Sequence, residues 1–463
     1  MSAFRKRWIE DWNPEDEEFW ARKGARIARR NLTFSIFAEF LGFAVWVLWS
    51  VTAAQLNRAG FDFTTGQLYT LVAVPALVGA TVRIPYTLAV SRFGGRNWTV
   101  FSALALLVPT TAHFLMVGNP RTPFWAFLLA GATAGLGGGN FASSMSNISH
   151  FYPDRRKGFA LGVNAAGGNM GVAVSQGLTP LVITWGWLAV AGGSQGKGIF
   201  LQNAGLFWAP FIVVAALCSW LFMDNLRVAG APIKEQVAIV RRKHTWTITL
   251  LYVATFGSFV GYSAGLPLLM KTEFPKVSLS LAFLGPLVGS LTRPLGGWVA
   301  DKLGGARVTF ATLFAMLATS LGLLYSLTNK ANPGAFTRFL ILSVVLFAFT
   351  GLGNGATYQM IPMAFKTFHL SRVRGEGSAA HRRAMLLARR ETSAAVGFIG
   401  AVGAYGGWLI PQSYGMSISL TGTPFLALES IMLLYVVCML VLWHNFLRPD
   451  YSASRAGLAE AEA

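Results

Sequence analysis

The sequence predicts an all-α polytopic membrane protein with twelve transmembrane helices in two pseudo-symmetric six-helix bundles. Three observations carry that prediction. Of the 463 residues, 54% are hydrophobic and only 12% are charged, about half the charged share of a soluble domain. Apolar runs recur from about residue 32 to residue 447 with no polar linker between them, and about 20 such residues suffice to cross a bilayer. Motifs of the first half also return in the second at an offset of 210 to 214 residues. Disorder is excluded by the apolar content, and collagen-like structure by 50 glycines without a three-residue period. A closed barrel would need ten-residue alternation, which these runs lack.

In chain order, residues 1–31 read as a cytoplasmic N-terminal segment. Within it a helix outside the membrane is predicted, with Asn13 as cap and Pro14 at its first position. Glu15 to Glu18 would sit at its positive end and Arg26, Arg29 and Arg30 at its negative end. Spans are placed near 32–56, 67–91, 98–117, 123–150, 159–190 and 202–224, forming an N-terminal bundle over 32–224. A cytoplasmic linker, 225–244, leads to spans near 245–271, 278–300, 307–329, 334–365, 391–412 and 421–447. These form a C-terminal bundle over 245–447, followed by a cytoplasmic tail, 448–463. The first apolar run lacks a small-residue cleavage site, so no cleavable signal is read.

The net charge of +19 would suggest nucleic acid in a soluble protein. Placed on the spans, however, 29 of the 38 Lys and Arg fall in the N-terminus, the even-numbered loops and the tail, against 7 in the odd-numbered loops. That asymmetry puts both termini in the cytoplasm and makes the lipid bilayer, rather than nucleic acid, the partner. The basic stretch 366–390 reads as a solvated cytoplasmic loop, with binding of a partner or anionic lipid as the alternative. Cys218 and Cys438 lie in apolar runs and read as small buried hydrophobes. The expected working unit is a monomer, with no metal and no cofactor.

The internal repeat is the most informative feature. Arg83-Ile84-Pro85 precedes Arg92-Phe93-Gly94-Gly95, and Arg293-Pro294 precedes Asp301-Lys302-Leu303-Gly304-Gly305, with 11 residues from arginine to the Gly-Gly pair in both copies. Gly139-Asn140-Phe141-Ala142 is echoed by Gly353-Asn354-Gly355-Ala356, and the glycine-rich stretch 158–171 by 397–407. The last echo stands 239 apart, which implies about 25 extra residues between helices ten and eleven. Parallel six-helix halves with the substrate site between them describe one large transporter architecture. The Gly-Gly loops, complete in the second half as Gly297 to Gly304, resemble the signature of the major facilitator superfamily. Ser91 replaces the acidic residue in the first half.

Arg83 and Arg293 lie nine and eight residues before their loops, about 12–13 Å along a helix and so near the middle of a core about 30 Å thick. A charge there costs at least about 2.5 kcal/mol. Only Glu39 and Glu429 lie well inside spans, and neither has a counterpart in the other repeat. The missing negative charge is most simply an anionic substrate, and the planar, paired donors of guanidinium suit a small planar oxyanion. Tyr252 and Phe256, one turn apart, and Phe141 supply candidate flat walls; each alone is more often ordinary packing. The spacings of Gly158, Gly162, Gly167 and Gly171, and of Gly397, Gly400, Gly403 and Gly406, clear helix faces for close approach. That clearance serves either static packing or rocking of the halves. Gly135-Leu136-Gly137-Gly138-Gly139 follows no strand and is not a nucleotide loop.

Several segments together resemble the nitrate/nitrite porter family of that superfamily, from Asp11 to about Trp443. They are Arg83 to Tyr86, Asn140 to Met145, Gly158 to Met170, Leu251 to Phe259 and Gly397 to Gly407. The resemblance implies that Arg83 and Arg293 clamp nitrate or nitrite, and that Phe141, Asn169, Tyr252 and Phe256 complete the site. It also makes the stretches containing Gly158, Gly162, Gly167, Gly168 and Gly171, and Gly397, Gly400, Gly403, Gly406 and Gly407, the family's paired signature motifs. Glu39 and Gly400 depart from what several relatives are expected to carry, an apolar residue and a small hydroxyl.

Two modes of transport follow as expectations. In nitrate/nitrite antiport, the empty site would hold two poorly compensated cations and stall, while the loaded one would switch. In proton-coupled nitrate symport, Glu39, or less favourably His113, would carry the proton. A lone buried carboxyl that simply stays protonated is the plainer alternative for Glu39. No HExxH motif, metal-ligand spacing or strand-borne nucleophile suggests an enzyme.

Overall fold

The computed structural model describes residues 8–186, 198–227, 239–373 and 377–448. Twelve helical rods run through them, consistent with the predicted number of spans. They are α1 (Glu17–Ala59), α2 (Thr65–Phe93), α3 (Gly95–Gly118), α4 (Phe124–Phe151), α5 (Asp154–Val182) and α6 (Gln202–Phe222). The second set is α7 (Lys243–Glu273), α8 (Leu284–Leu303), α9 (Gly305–Thr328), α10 (Ala335–Leu370), α11 (Ser378–Thr421) and α12 (Phe425–Leu447). Among the described residues nine rods are long and apolar enough to cross a membrane. The other three, α4, α5 and α8, carry the Gly-, Ser- and Asn-rich stretches and Arg293. Helices shielded from lipid by their neighbours need not be apolar all round.

The repeat is visible in the packing. In the first half α2 packs on α4, and in the second α8 packs on α10. Each Gly-Gly pair turns the chain between these helices and the next. Gly94 and Gly304 have φ of 84° and 88°, a region that disfavours a side chain. The glycines after them let a helix start press on a neighbour. A Cβ on Gly95 would lie 1.8 Å from Asn147 Oδ1, and one on Gly305 2.6 Å from Gln359 Oε1. One loop geometry therefore serves both halves, which explains why both copies keep the pair.

Contacts between the halves crowd toward the face opposite the chain ends. Thr70 Oγ1 donates to Gln412 Oε1 at 3.3 Å, and the Tyr69 and Tyr414 rings lie 6.0 Å apart. Gln176 Nε2 donates to the Ser263 carbonyl. On the face that carries the chain ends, Phe159 is 78% exposed. Added Cβ atoms at Gly158 and Gly162 would meet nothing within 4 Å. The structure is closed on one face and loosened at the α5 end of the other.

Several predicted boundaries change. The first helix begins at Glu17, capped by Asp16, whose side chain accepts from Phe19 N; Asn13 supplies only the carbonyl of the preceding turn. That helix is not separate but continues through a π turn, Trp20–Gly24, into the first span. The stretch 366–390 is mostly helix rather than loop, since α10 runs to Leu370 and α11 starts at Ser378. Its Ala-, Arg-, Leu- and Met-rich sequence explains this, because those residues favour helix strongly. Glu429 lies one turn into α12 and is exposed. The linker residues 228–238 and the tail 449–463 lie outside the described residues.

The N-terminal segment clasps the end of α6. Strand β1 (Trp8–Ile9) pairs in parallel with β2 (Asn225–Leu226). Trp12 Nε1 donates to the His150 carbonyl at 3.1 Å. Arg30 pairs with Asp224, and Asp224 N donates to Asn31 Oδ1 at 2.8 Å.

Candidate functional site

Five of the six residues predicted to bind substrate form one buried cluster where the halves meet. Arg83 on α2 is 1% exposed and Arg293 on α8 is 5% exposed. Their guanidinium carbons lie 4.7 and 5.6 Å from the Phe141 ring centre, and 5.2 and 5.8 Å from that of Phe256. Phe141 and Phe256 stack at 6.0 Å and 25°. Tyr252 stacks on Phe256 at 5.0 Å and 21°. Two cations thus share the same pair of aromatic walls, one cation from each half.

Each guanidinium is held by part of its donor set. Arg83 Nε donates to the Gly138 carbonyl at 3.1 Å and Nη1 to the Gly400 carbonyl at 2.6 Å. Arg293 Nη2 donates to the Tyr252 hydroxyl at 3.4 Å. Arg83 Nη2 and Arg293 Nη1 are buried with no partner. An unmet buried N–H of a charged group is costly, so these two donors mark where an acceptor belongs. A small anion meets both needs, charge and acceptor. The apolar walls restrict its shape and exclude water.

Local helix irregularities build this geometry. A π turn at Val253–Gly257 interrupts α7 between Tyr252 and Phe256 and carries Phe256 itself; such turns concentrate at functional sites. In α11 the helix breaks after Gly403, and Ala404 N donates to Ala401 O at 3.2 Å. Gly400 thereby loses its usual i+4 donor, and its carbonyl turns to Arg83 across the interface. The position flagged as a departure is a backbone acceptor for the first arginine.

Asn169 does not join the cluster. It is buried with both amide atoms unpartnered, but among the described residues it makes none of the ring or guanidinium contacts above. The glycines divide into two groups. On α5, Cβ atoms on Gly167, Gly168 and Gly171 would collide with Ile36, Glu39 and the Phe40 carbonyl of α1. On α11, those on Gly403 and Gly406 would strike Tyr252 and Gly257, and one on Gly407 would strike Val260 and Ala76. Gly158, Gly162 and Gly400 meet nothing within 4 Å, and Gly397 only Thr87 at 3.7 Å.

Sequence reasoning missed Trp46, which lies 5.6 Å under Arg83, and Tyr358, whose ring lies 5.8 Å from Arg293. Tyr358 stands one turn after Asn354 of the second echo, the signal that could have found it. Glu39 is fully buried on α1, and Asn164 Nδ2 donates to its Oε2 at 2.7 Å. His113 is buried against Trp49 with both nitrogens unpartnered, apart from the cluster. Among the described residues no group of three or more His, Cys, Asp or Glu converges to hold a metal ion.

Known proteins share the sequence and the fold. Residues 32–382 match the model of the Major Facilitator Superfamily. The chain is 43% identical to the nitrate/nitrite transporter NarU of Escherichia coli (strain K12), over 96% of this chain and 97% of that protein. It is 34% identical to the probable nitrate/nitrite antiporter NarK2 of Thermus thermophilus, over 97% of this chain and 98% of that one. Similarity to the nitrite extrusion protein of Bacillus subtilis (strain 168) is 26% identity, over 90% and 95% of the two chains. In fold it is similar to a D-xylose-proton symporter, with a TM-score of 0.64, 14% identity and coverage of 90% of this chain and 97% of that one.

Proposed function

Because the chain belongs to the nitrate/nitrite porter family of the major facilitator superfamily, we propose that it carries nitrate and nitrite across the bacterial cytoplasmic membrane by alternating access. The observation that carries this reading is the pair of buried, unpartnered donors, Arg83 Nη2 and Arg293 Nη1, beside shared aromatic walls. A planar trigonal or bent oxyanion between them would accept from both guanidiniums while its faces meet Phe141 and Phe256. Tyr252 is the neutral donor of the set. Asn169 brings a further unpartnered amide from α5 when the halves move.

The bundles 32–224 and 245–447 act as the rocking bodies, joined by the linker 225–244, with both termini in the cytoplasm and the monomer as the working unit. The positive-inside asymmetry supports that orientation. On it, the structure faces the cytoplasm with its outer side closed. Nitrate/nitrite antiport is the mode this site favours. An empty closed site leaves two cations poorly compensated, and either anion relieves that cost.

In liposomes at equal pH on both sides, internal nitrite should accelerate nitrate uptake at least tenfold over anion-free liposomes. Equal rates with and without internal anion would overturn exchange. Tyr252→Phe removes the hydroxyl that Arg293 leans on. A lost hydrogen bond to a charged group is worth about 1.5 kcal/mol, so the nitrate concentration for half-maximal uptake should rise about tenfold. An unchanged value would remove Tyr252 from the site.

A further inference from the structure

We infer that Tyr358 is the residue by which the site tells nitrate from nitrite: its hydroxyl donates to the third oxygen of nitrate, which nitrite lacks. The inference rests on the reading of Arg83 and Arg293 as the anion site and adds to it a basis for selectivity.

The two arginines are caged in parallel ways. Both lie against Phe141 and Phe256, and each has one further ring from its own half. For Arg83 that ring is Trp46 of α1, 5.6 Å from the guanidinium carbon; for Arg293 it is Tyr358 of α10, at 5.8 Å. Trp and Tyr both join an apolar body to one polar group, which normally finds a hydrogen-bond partner when buried.

The polar groups of these two rings differ in exactly that respect. Trp46 Nε1 donates to the Pro75 carbonyl at 2.7 Å. Pro75, Gly79 and Arg83 stand four residues apart on α2, so the indole runs along one helix face from that carbonyl to the guanidinium. Two glycines clear its seat. A Cβ on Gly79 would lie 2.8 Å from Nε1, and one on Gly138 2.9 Å from Cε2. Trp46 is satisfied and fixed, a support for Arg83. The Tyr358 hydroxyl, by contrast, is buried and has no partner among the described residues. Its ring lies 6.1 Å from that of Tyr252, tilted by 46°, so the two tyrosines flank Arg293 together. The Tyr252 oxygen accepts from Arg293 Nη2, a tie that Tyr358 lacks. A buried hydroxyl without an acceptor is costly, and beside a cation with its own unmet N–H the acceptor that suits both is an anion.

The shapes of the two anions then decide what this hydroxyl does. Nitrate is planar and has three equivalent oxygens, whereas nitrite is bent and has two. Arg83 Nη2 and Arg293 Nη1 come from opposite halves and serve two oxygens of either anion. The third oxygen of nitrate needs a third donor, and Tyr358 supplies it. In nitrite that corner holds only the nitrogen lone pair, set back by the length of an N–O bond, which is enough to turn a hydrogen bond into no contact. A site that offers a buried hydroxyl discriminates against the ligand that leaves it unpaired. The discrimination belongs to the C-terminal half alone, because the matching ring of the other half already gives its N–H to Pro75.

The test compares the two anions. Nitrate and nitrite binding to the full-length protein in nanodiscs are measured by calorimetry, for wild type and for Tyr358→Phe. Loss of a hydrogen bond to a charged group should weaken nitrate binding about tenfold, and the nitrate-to-nitrite affinity ratio should fall by that factor. Tyr252→Phe should instead weaken both anions, because Tyr252 acts through Arg293, which holds either. The thermal stability of anion-free Tyr358→Phe should equal or exceed that of wild type, since only an unpartnered hydroxyl is removed. An unchanged ratio in Tyr358→Phe, whether both affinities fall or neither does, overturns the inference while leaving the arginine site standing. A loss of stability in that variant does the same, because it would give the hydroxyl a structural partner. Absence of nitrate and nitrite binding in wild type overturns both readings.

Discussion

Arg83→Lys should lower nitrate uptake about a hundredfold while leaving the protein folded and membrane-inserted. Lysine keeps the charge but not the fork. Arg83 uses Nε and Nη1 to grip the carbonyls of Gly138 in one half and Gly400 in the other, which leaves Nη2 for a third acceptor. An ammonium at that depth has three donors around a single point and cannot span both carbonyls and an anion in a plane. Losing one charge-assisted contact while leaving buried acceptors unmet costs about 3 kcal/mol, or about two orders of magnitude. Arg293→Lys should be milder, because among the described residues that guanidinium's one hydrogen bond is the longer one to Tyr252. Equal uptake by Arg83→Lys and wild type in liposomes, at matched protein density, would remove Arg83 from the anion site.

Gly171→Ala should destabilise the protein by about 3 kcal/mol, at the upper end of the usual cost of overpacking. The added Cβ would lie 2.1 Å from the Phe40 carbonyl oxygen of α1. That atom is backbone, so no rotamer change relieves the clash and α1 must part from α5. Gly162→Ala, in the same glycine stretch, meets nothing within 4 Å in this conformation. It should leave thermal stability in detergent unchanged and slow transport, because the open α5 face must close on its partner when the halves rock. Equal loss of stability in both variants would show that the whole stretch is static packing. Normal transport by Gly162→Ala would show that its face never closes.

Much of the architecture was legible in the sequence. The two arginines and their Gly-Gly pairs share one spacing because each half repeats one helix-loop-helix unit. The structure gives the two glycines of each pair separate duties, a positive φ and a close approach. Phe141, Tyr252 and Phe256 were legible as candidate flat walls on central helices. Their grouping with both arginines was not, since it depends on how two halves meet. The Gly400 carbonyl was illegible for a different reason: a helix interior normally uses its own carbonyls, and only the break after Gly403 frees this one. The stretch 366–390 was misread as loop because its many arginines masked a high helix propensity. Asn169 was named from resemblance and lies outside the cluster in this conformation.

By itself the sequence determined the fold class, the family and the two buried arginines. Each follows from quantities that add along the chain: apolar length, the placement of basic residues and the recurrence of a motif. Only the tertiary structure decided which arginine donors lack an acceptor, which glycines are packed and which stand open, and that Asn164 reaches Glu39. Those facts depend on distances between helices far apart in sequence, where a difference of 1 or 2 Å separates a hydrogen bond from no contact.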